Sequence, residues 1–465
     1  MAEHSAPRPG EKFQFICIQN PDDAKNRATR RLARSHAIAR GLEKKRRRLQ
    51  QAGRNFRTVS LKDETGSKSE EIVHKKDVSP VLLSIAAPGP FQLLAAESPS
   101  LQALISQHSS ERATEPILSV SDELVLQNFQ SVLRKGLDDR ALLYAVMLTY
   151  TSAVASSSYN DEHFIYRTET LSSLRQSLRS SDEATSEPTL GAILLLAGIE
   201  ARLGMPRSVQ LHLGAIQQLL DVCQRKGIYL GDAIKRAIFW QDLNCSVMTG
   251  STRIVDHTTF SELKWTRYPL SSNLFVLPPG FKSLAPSLGE QFIEILEDVH
   301  ALQCIRDNVW GAKENVISMA YIDNHQANIQ SRLVEGLSGH SSFSECCHLA
   351  LYLCSSMLRC KIWRNSVIPS HLSLQLLHKL QQLNDDSIWD EYPGLSAWML
   401  YIGGAFAPVG PIQSDYMTLL HENRKSRLKD LDTSWPELLE ILKQFIWSER
   451  AFASQVEAFW RETST

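Results

Sequence analysis

Cysteine is missing from most of the chain's first half: of eight in 465 residues, only Cys17 precedes Cys223. The others stand at 245, 304, 346, 347, 354 and 360, without the paired spacing of a disulfide framework or a zinc site. Free buried thiols are the expected state. Long apolar runs are missing too, and none reaches the ~18 residues that a membrane span needs. Met1-Ala2-Glu3-His4 lacks the apolar core of a signal peptide, so the protein is expected to stay inside the cell and off the membrane. The chain has no Gly-x-Gly-x-x-Gly, no P-loop, no His-Glu-x-x-His and no Gly-x-Ser-x-Gly. Without them no catalytic residue, no cofactor and no enzyme is expected.

What is present is a large helical body behind a basic arm. Hydrophobic residues make up 43% and charged residues 22%, near globular averages, and the length exceeds what one core usually serves. The net charge of −1 conceals an asymmetry. Residues 1–60 hold 15 Lys and Arg against 5 Asp and Glu, a balance of +10, which leaves −11 for the remainder. A basic arm on an acidic body points to a polyanion or an acidic partner for the arm.

Within the arm, Phe13 to Ile18 reads as a short extended run, and Asp22 or Asp23 caps a helix from about Ala24. That helix carries Arg27, Arg30, Arg31, Arg34 and Arg40, then the cluster Lys44-Lys45-Arg46-Arg47-Arg48. Like charge at this density repels itself, so the arm is expected to be disordered until a polyanion orders it. Three uses compete. The cluster suits nuclear import, the spread arginines suit phosphate contacts with Arg reading guanine, and the bland reading is a solvated charge run without a specific partner. A basic zipper fails on length, because Gly53 and the polar stretch from Lys62 to Lys76 end the heptads begun by Leu42, Leu49 and Phe56. Residues 61–114 read as linker and a non-helical strap.

From Glu115 to the end the apolar spacing is helical. The clearest stretch is Glu187 to Thr252. One helix runs from Glu187 to Leu203 and stops at Gly204-Met205-Pro206. A second runs from Pro206 to about Cys223 and a third from about Gly231 to Met248. The chain loosens from Arg253 through Leu277-Pro278-Pro279-Gly280, then helices resume near Leu288, at 320–337, 343–363 and 369–383. The expected fold is all-α, a long multi-helix array over residues 115–465.

Two blocks carry a family resemblance. His212-Leu213-Gly214-Ala215, the Arg225-Lys226-Gly227 break and Ile238-Phe239-Trp240-Gln241-Asp242-Leu243 form the first. The second is Trp389, Pro393-Gly394, Ala397 through Gly403-Gly404-Ala405, and the terminal run with Phe445-Ile446-Trp447-Ser448-Glu449 and Phe459-Trp460. Together they resemble the fungal-specific transcription factor domain from about Glu115 to Glu462. Phe13-x-Phe15-Ile16, Pro21-Asp22 and Arg31-x-x-Arg34-Ser35-His36-Ala37 resemble the N-termini of members that lack a zinc cluster. The resemblance implies a nuclear transcription regulator with no catalytic chemistry, whose helical body regulates or dimerises. Expected partners are DNA through the arm, an import receptor, and other transcription regulators in homo- or hetero-oligomers. With one cysteine in the first 222 residues, a six-cysteine zinc cluster is excluded. The rival reading is a helical interaction scaffold that never touches DNA.

Other residues invite chemistry and have blander readings. Cys346-Cys347-His348 cannot turn three side chains to one ion while helical, since neighbours point about 100° apart. Glu297-x-x-His300 has di-iron spacing but lacks a second pair. Gly403-Gly404 is read as close helix packing and His212 as a core or boundary histidine. Trp240 and Asp242 lie about 200° apart on a helix, so Trp240 should pack while Asp242 caps or pairs at a surface.

Overall fold

Helix starts and stops are written in the local sequence. Ser186 caps the helix Glu187–Arg202, its hydroxyl accepting from the Thr189 amide at 3.4 Å, and Pro188 sits in the first turn. Gly204 (φ 63°) then turns the chain into Pro206–Lys226, which Gly227 (φ 64°) ends in the left-handed conformation that glycine adopts without strain.

The structure is a computed structural model that describes residues 138–154, 161–307, 318–337, 341–359, 367–429 and 434–464. All belong to one compact unit within Pro99–Thr465. The ten basic residues from Arg27 to Arg48, the run Phe13–Ile18, the strap and the stretch 115–137 lie outside the described residues.

The described residues form fifteen α-helices and three short 3-10 turns, with no strand, so the fold is all-α. Numbered from the first described helix, they are α1 Arg140–Val154, α2 Asp161–Ser177, α3 Ser181–Ala184, α4 Glu187–Arg202, α5 Pro206–Lys226 and α6 Asp232–Thr249. Next come α7 Glu290–Asp307, α8 Met319–Glu335, α9 Ser342–Arg359 and α10 Val367–Gln382. The last five are α11 Ile388–Glu391, α12 Pro393–Ala405, α13 Pro411–Ser426, α14 Trp435–Leu442 and α15 Ala453–Ser464.

Two helices organise the packing. In the first part α4 touches α1, α2, α5 and α6, and it buries ten residues, as an almost uncharged helix must. In the second part α12 touches α9, α10, α13, α14 and α15, and every residue from Leu395 to Gly404 is buried. The glycine pair packs as its sequence suggests: a Cβ on Gly403 would overlap Tyr416 of α13, and one on Gly404 would overlap Phe459 of α15. These glycines let two neighbouring helices close on the central one.

Two expectations are corrected. Phe445-Ile446-Trp447-Ser448-Glu449 is not helical but a turn between α14 and α15. Tertiary bonds outweigh helical propensity there: Trp398 Nε1 donates to the Ile446 carbonyl at 2.9 Å, the Trp447 amide to Gln303 Oε1 at 2.9 Å, and the Ser448 hydroxyl to Asp307 at 2.5 Å. Asp242 pairs as expected, but in the interior, with no exposed surface. Its partner Arg253 comes from the aperiodic connector between α6 and α7 and covers it.

Candidate functional site

Helix α6 belongs to two cores at once. Cys245 packs with Ala197, Ala201, Val209 and Leu213 of α4 and α5, while Val247 joins the large core built from α7 to α15. Where α6 meets α8 the contact is polar. Arg236 donates to Asp323 at 2.8 Å and to Asn324 Oδ1 at 2.5 Å, and Trp240 Nε1 donates to both Asp323 oxygens at 3.1 and 3.2 Å. Arg236, Trp240 and Asp323 are all buried, so each charge and donor here needs the other.

The connector, residues 250–289, lies along this joint and is held mainly by side chains of other elements. Asp242 accepts from Arg253 Nε at 3.1 Å and from the amides of Ile254 and Val255 at 3.0 and 3.4 Å. Arg253 also donates to Ser331 of α8 at 2.7 Å. The Glu262 carbonyl accepts from Arg236 and Asn324, both at 2.9 Å, and Tyr321 donates to the Thr266 carbonyl at 2.8 Å. At the far end Arg267 pairs with Asp298 and Glu297 at 3.0 Å each, and Arg332 shares Asp298.

Burial decides the protonation of this joint. It raises the pKa of Asp242 and of Asp298, against the pull of Arg253 on one and of Arg332 and Arg267 on the other. His325 of α8, wholly buried, has its pKa held down to about 3 by desolvation, then by Arg332 and Arg267, against the Asp298 carbonyl. It stays a neutral ring on Trp265. His257 is lowered as well, by burial first.

The remaining sequence candidates are placed apart. Glu297 is spent on Arg267, and His300 Nδ1 lies 3.0 Å from the Leu274 carbonyl, so the di-iron spacing serves to hold the connector. Cys346, Cys347 and Cys354 are buried in the large core, and burial pushes the Cys346 thiol up to about 12. Among the described residues no three His, Cys, Asp or Glu side chains converge as a metal site requires. His212 is half-buried on α5, with its pKa lowered by desolvation.

One serine and histidine do meet, Ser152 Oγ and His163 Nδ1, at 3.2 Å between α1 and α2. Ser152 gives its proton to the Leu148 carbonyl at 2.8 Å, which leaves it the wrong way round for activation by the imidazole. His163 is buried, and beside it Arg167 forks onto Glu200 of α4 at 2.8 and 3.2 Å. The pair packs two helices together.

Sequence reading missed the joint itself, since Arg236 and Asp323 are 87 positions apart and each resembles an ordinary charge on a solvated helix face. The one local signal is a carboxylate, Asp242, set among the apolar residues Ile238, Phe239, Trp240 and Leu243 of α6. The ten basic residues proposed for DNA contact or import lie outside the described residues. Among the described residues no helix is long and apolar enough to cross a membrane. Comparison with protein-family models, with curated proteins and with solved structures returned no match.

Proposed function

We propose that the chain is a nuclear transcription regulator in which the basic arm contacts duplex DNA and the helical body regulates, alone or with other transcription regulators. The observation that carries this reading is the charge division, +10 in residues 1–60 against −11 in the rest. Inside the body Arg236, Arg253, Arg267 and Arg332 are each committed to an internal carboxylate. We assign phosphate contacts to the arm, whose spread arginines can follow a backbone while Lys44 to Arg48 suits an import receptor. The resemblance to fungal transcription factor domains, carried by the His212–Ala215, Ile238–Leu243 and Ala397–Ala405 segments, supports the same reading. The experiment is deletion of residues 1–60 with duplex binding measured at low and moderate salt, and binding should vanish with the arm.

A scaffold without DNA contact is favoured by one observation, the excess of carboxylates outside the arm, which repels a polyanion. In that case the deletion abolishes nuclear entry and changes no duplex binding, because the intact chain has none.

A further inference from the structure

We infer that residues 252–277 form a latch that opens as one unit while the helices on either side stay folded, giving the body a second conformational state. Over these 26 residues only Val255 and Leu263 are buried. Ile254, Leu270 and Leu277 are half-buried against the cores and Trp265 stacks on His325, so the hydrophobic resistance to opening is larger than two side chains but well short of that of α12, which buries ten residues in succession. Nor does the latch own a backbone ladder. Its anchoring bonds run to side chains: the Thr252 amide to Gln210, Ile254 and Val255 to Asp242, and the carbonyls of Glu262, Lys264 and Thr266 to Arg236, Asn324 and Tyr321.

The charges that hold it lose less on opening than their number suggests. Asp242 and Asp298 are buried, and taking charge from water offsets much of the attraction between buried partners. When the latch lifts, Arg253, Arg267 and both carboxylates regain water together. Atoms without a hydrogen-bond partner gain one as well: Arg253 Nη2 and Arg332 Nε are buried and unpaired. The titratable and charged groups around His325 are Arg332 on its own helix, Asp298 on α7, and Arg267 in the latch. Opening bares Trp240, Asp323 and His325 at the place where the two cores meet. Order and release of a segment at such a joint is a recurrent way for a regulatory body to switch.

The two ends are tied to each other through one helix: Asp242 grips residues 253–255, and Arg236 of the same helix grips Glu262. They should therefore lift together. Hydrogen exchange on the full chain at pH 7 tests this. The amides of 252–255 and of Leu263 and Lys264 should exchange at least a hundredfold faster than those of Met399 to Gly403 in α12. Asp242→Asn should accelerate both ends of the latch tenfold or more and leave α12 unchanged. Should that variant fail to fold, Tyr321→Phe, which removes a hydroxyl at the far end, should accelerate 252–255 as well. Equal protection of latch and α12, or acceleration confined to the end that was mutated, overturns the proposal. Neither outcome bears on DNA contact by the arm.

Discussion

The indole of Trp265 and the imidazole of His325 lie face to face, 3.9 Å between centroids and 5° between planes, joining the connector to α8. Burial keeps this titratable ring neutral in the interior. Unfolded, His325 takes up a proton near 6.5; folded, it does so only at about 3. The folded state thus binds fewer protons, and stability is lost as pH falls from 6.5 toward 3. His163, His212, His257 and His371 are lowered too and push the same way. Asp242 and Asp298, raised by burial, push the other way in the carboxylate range. Urea unfolding at pH 7.5 and 5 should show a loss of stability on acidification. His325→Phe keeps an aromatic on Trp265 and should reduce that loss by up to about 2 kcal/mol, one proton over 1.5 pH units.

Trp240 contributes through both its ring and its nitrogen. Trp240→Ala should destabilise the body by about 3 to 5 kcal/mol, as expected for a large buried aromatic. Trp240→Phe keeps most of the ring but removes a donor from Asp323, and should cost about 1 to 3 kcal/mol. Denaturant midpoints at constant slope measure both.

Glycines on α12 and α5 should respond with opposite sign. Gly403→Ala and Gly404→Ala place a methyl group into Tyr416 and Phe459, and each should cost about 1 to 3 kcal/mol through overpacking. Gly214 in α5 has open space at its Cβ, so Gly214→Ala should stabilise by about 0.4 to 1 kcal/mol. Thermal unfolding of the three variants checks the contrast.

Elements with local signals are legible in the sequence. Gly204, Pro206 and Gly227 mark the end of α4 and both ends of α5 because caps and left-handed turns act over a few residues. Spacing at three and four places α4, α5, α6 and α7 within a few residues of where they lie, and the resemblance marks the stretch that forms α12. Long-range partners decide the rest. The turn 445–449 carries an apolar helical pattern, yet Trp398, Gln303 and Asp307, 48 to 144 positions away, claim its backbone and hydroxyl. Asp242 reads as a surface residue because nothing local shows that Arg253 folds back to neutralise it.

Import and DNA contact should separate by mutation. Replacing Lys44, Lys45, Arg46, Arg47 and Arg48 by Ala should leave a fluorescent fusion largely outside the nucleus, since a compact cluster of five cations suits an import receptor's acidic groove. Replacing Arg27, Arg30, Arg31, Arg34 and Arg40 should leave entry intact. Microscopy of the two fusions reads the difference.

The salt dependence of duplex binding, compared between the intact chain and the variant lacking those five spread arginines, tests the central claim most directly. Each arginine that no longer meets a phosphate should reduce the slope of log affinity against log salt by about 0.9, so five arginines should flatten it by about 4.5. The account predicts that flattening together with weaker binding at every salt concentration. If the intact chain binds no duplex, alone or with a partner, the arm does not contact DNA and the scaffold reading holds.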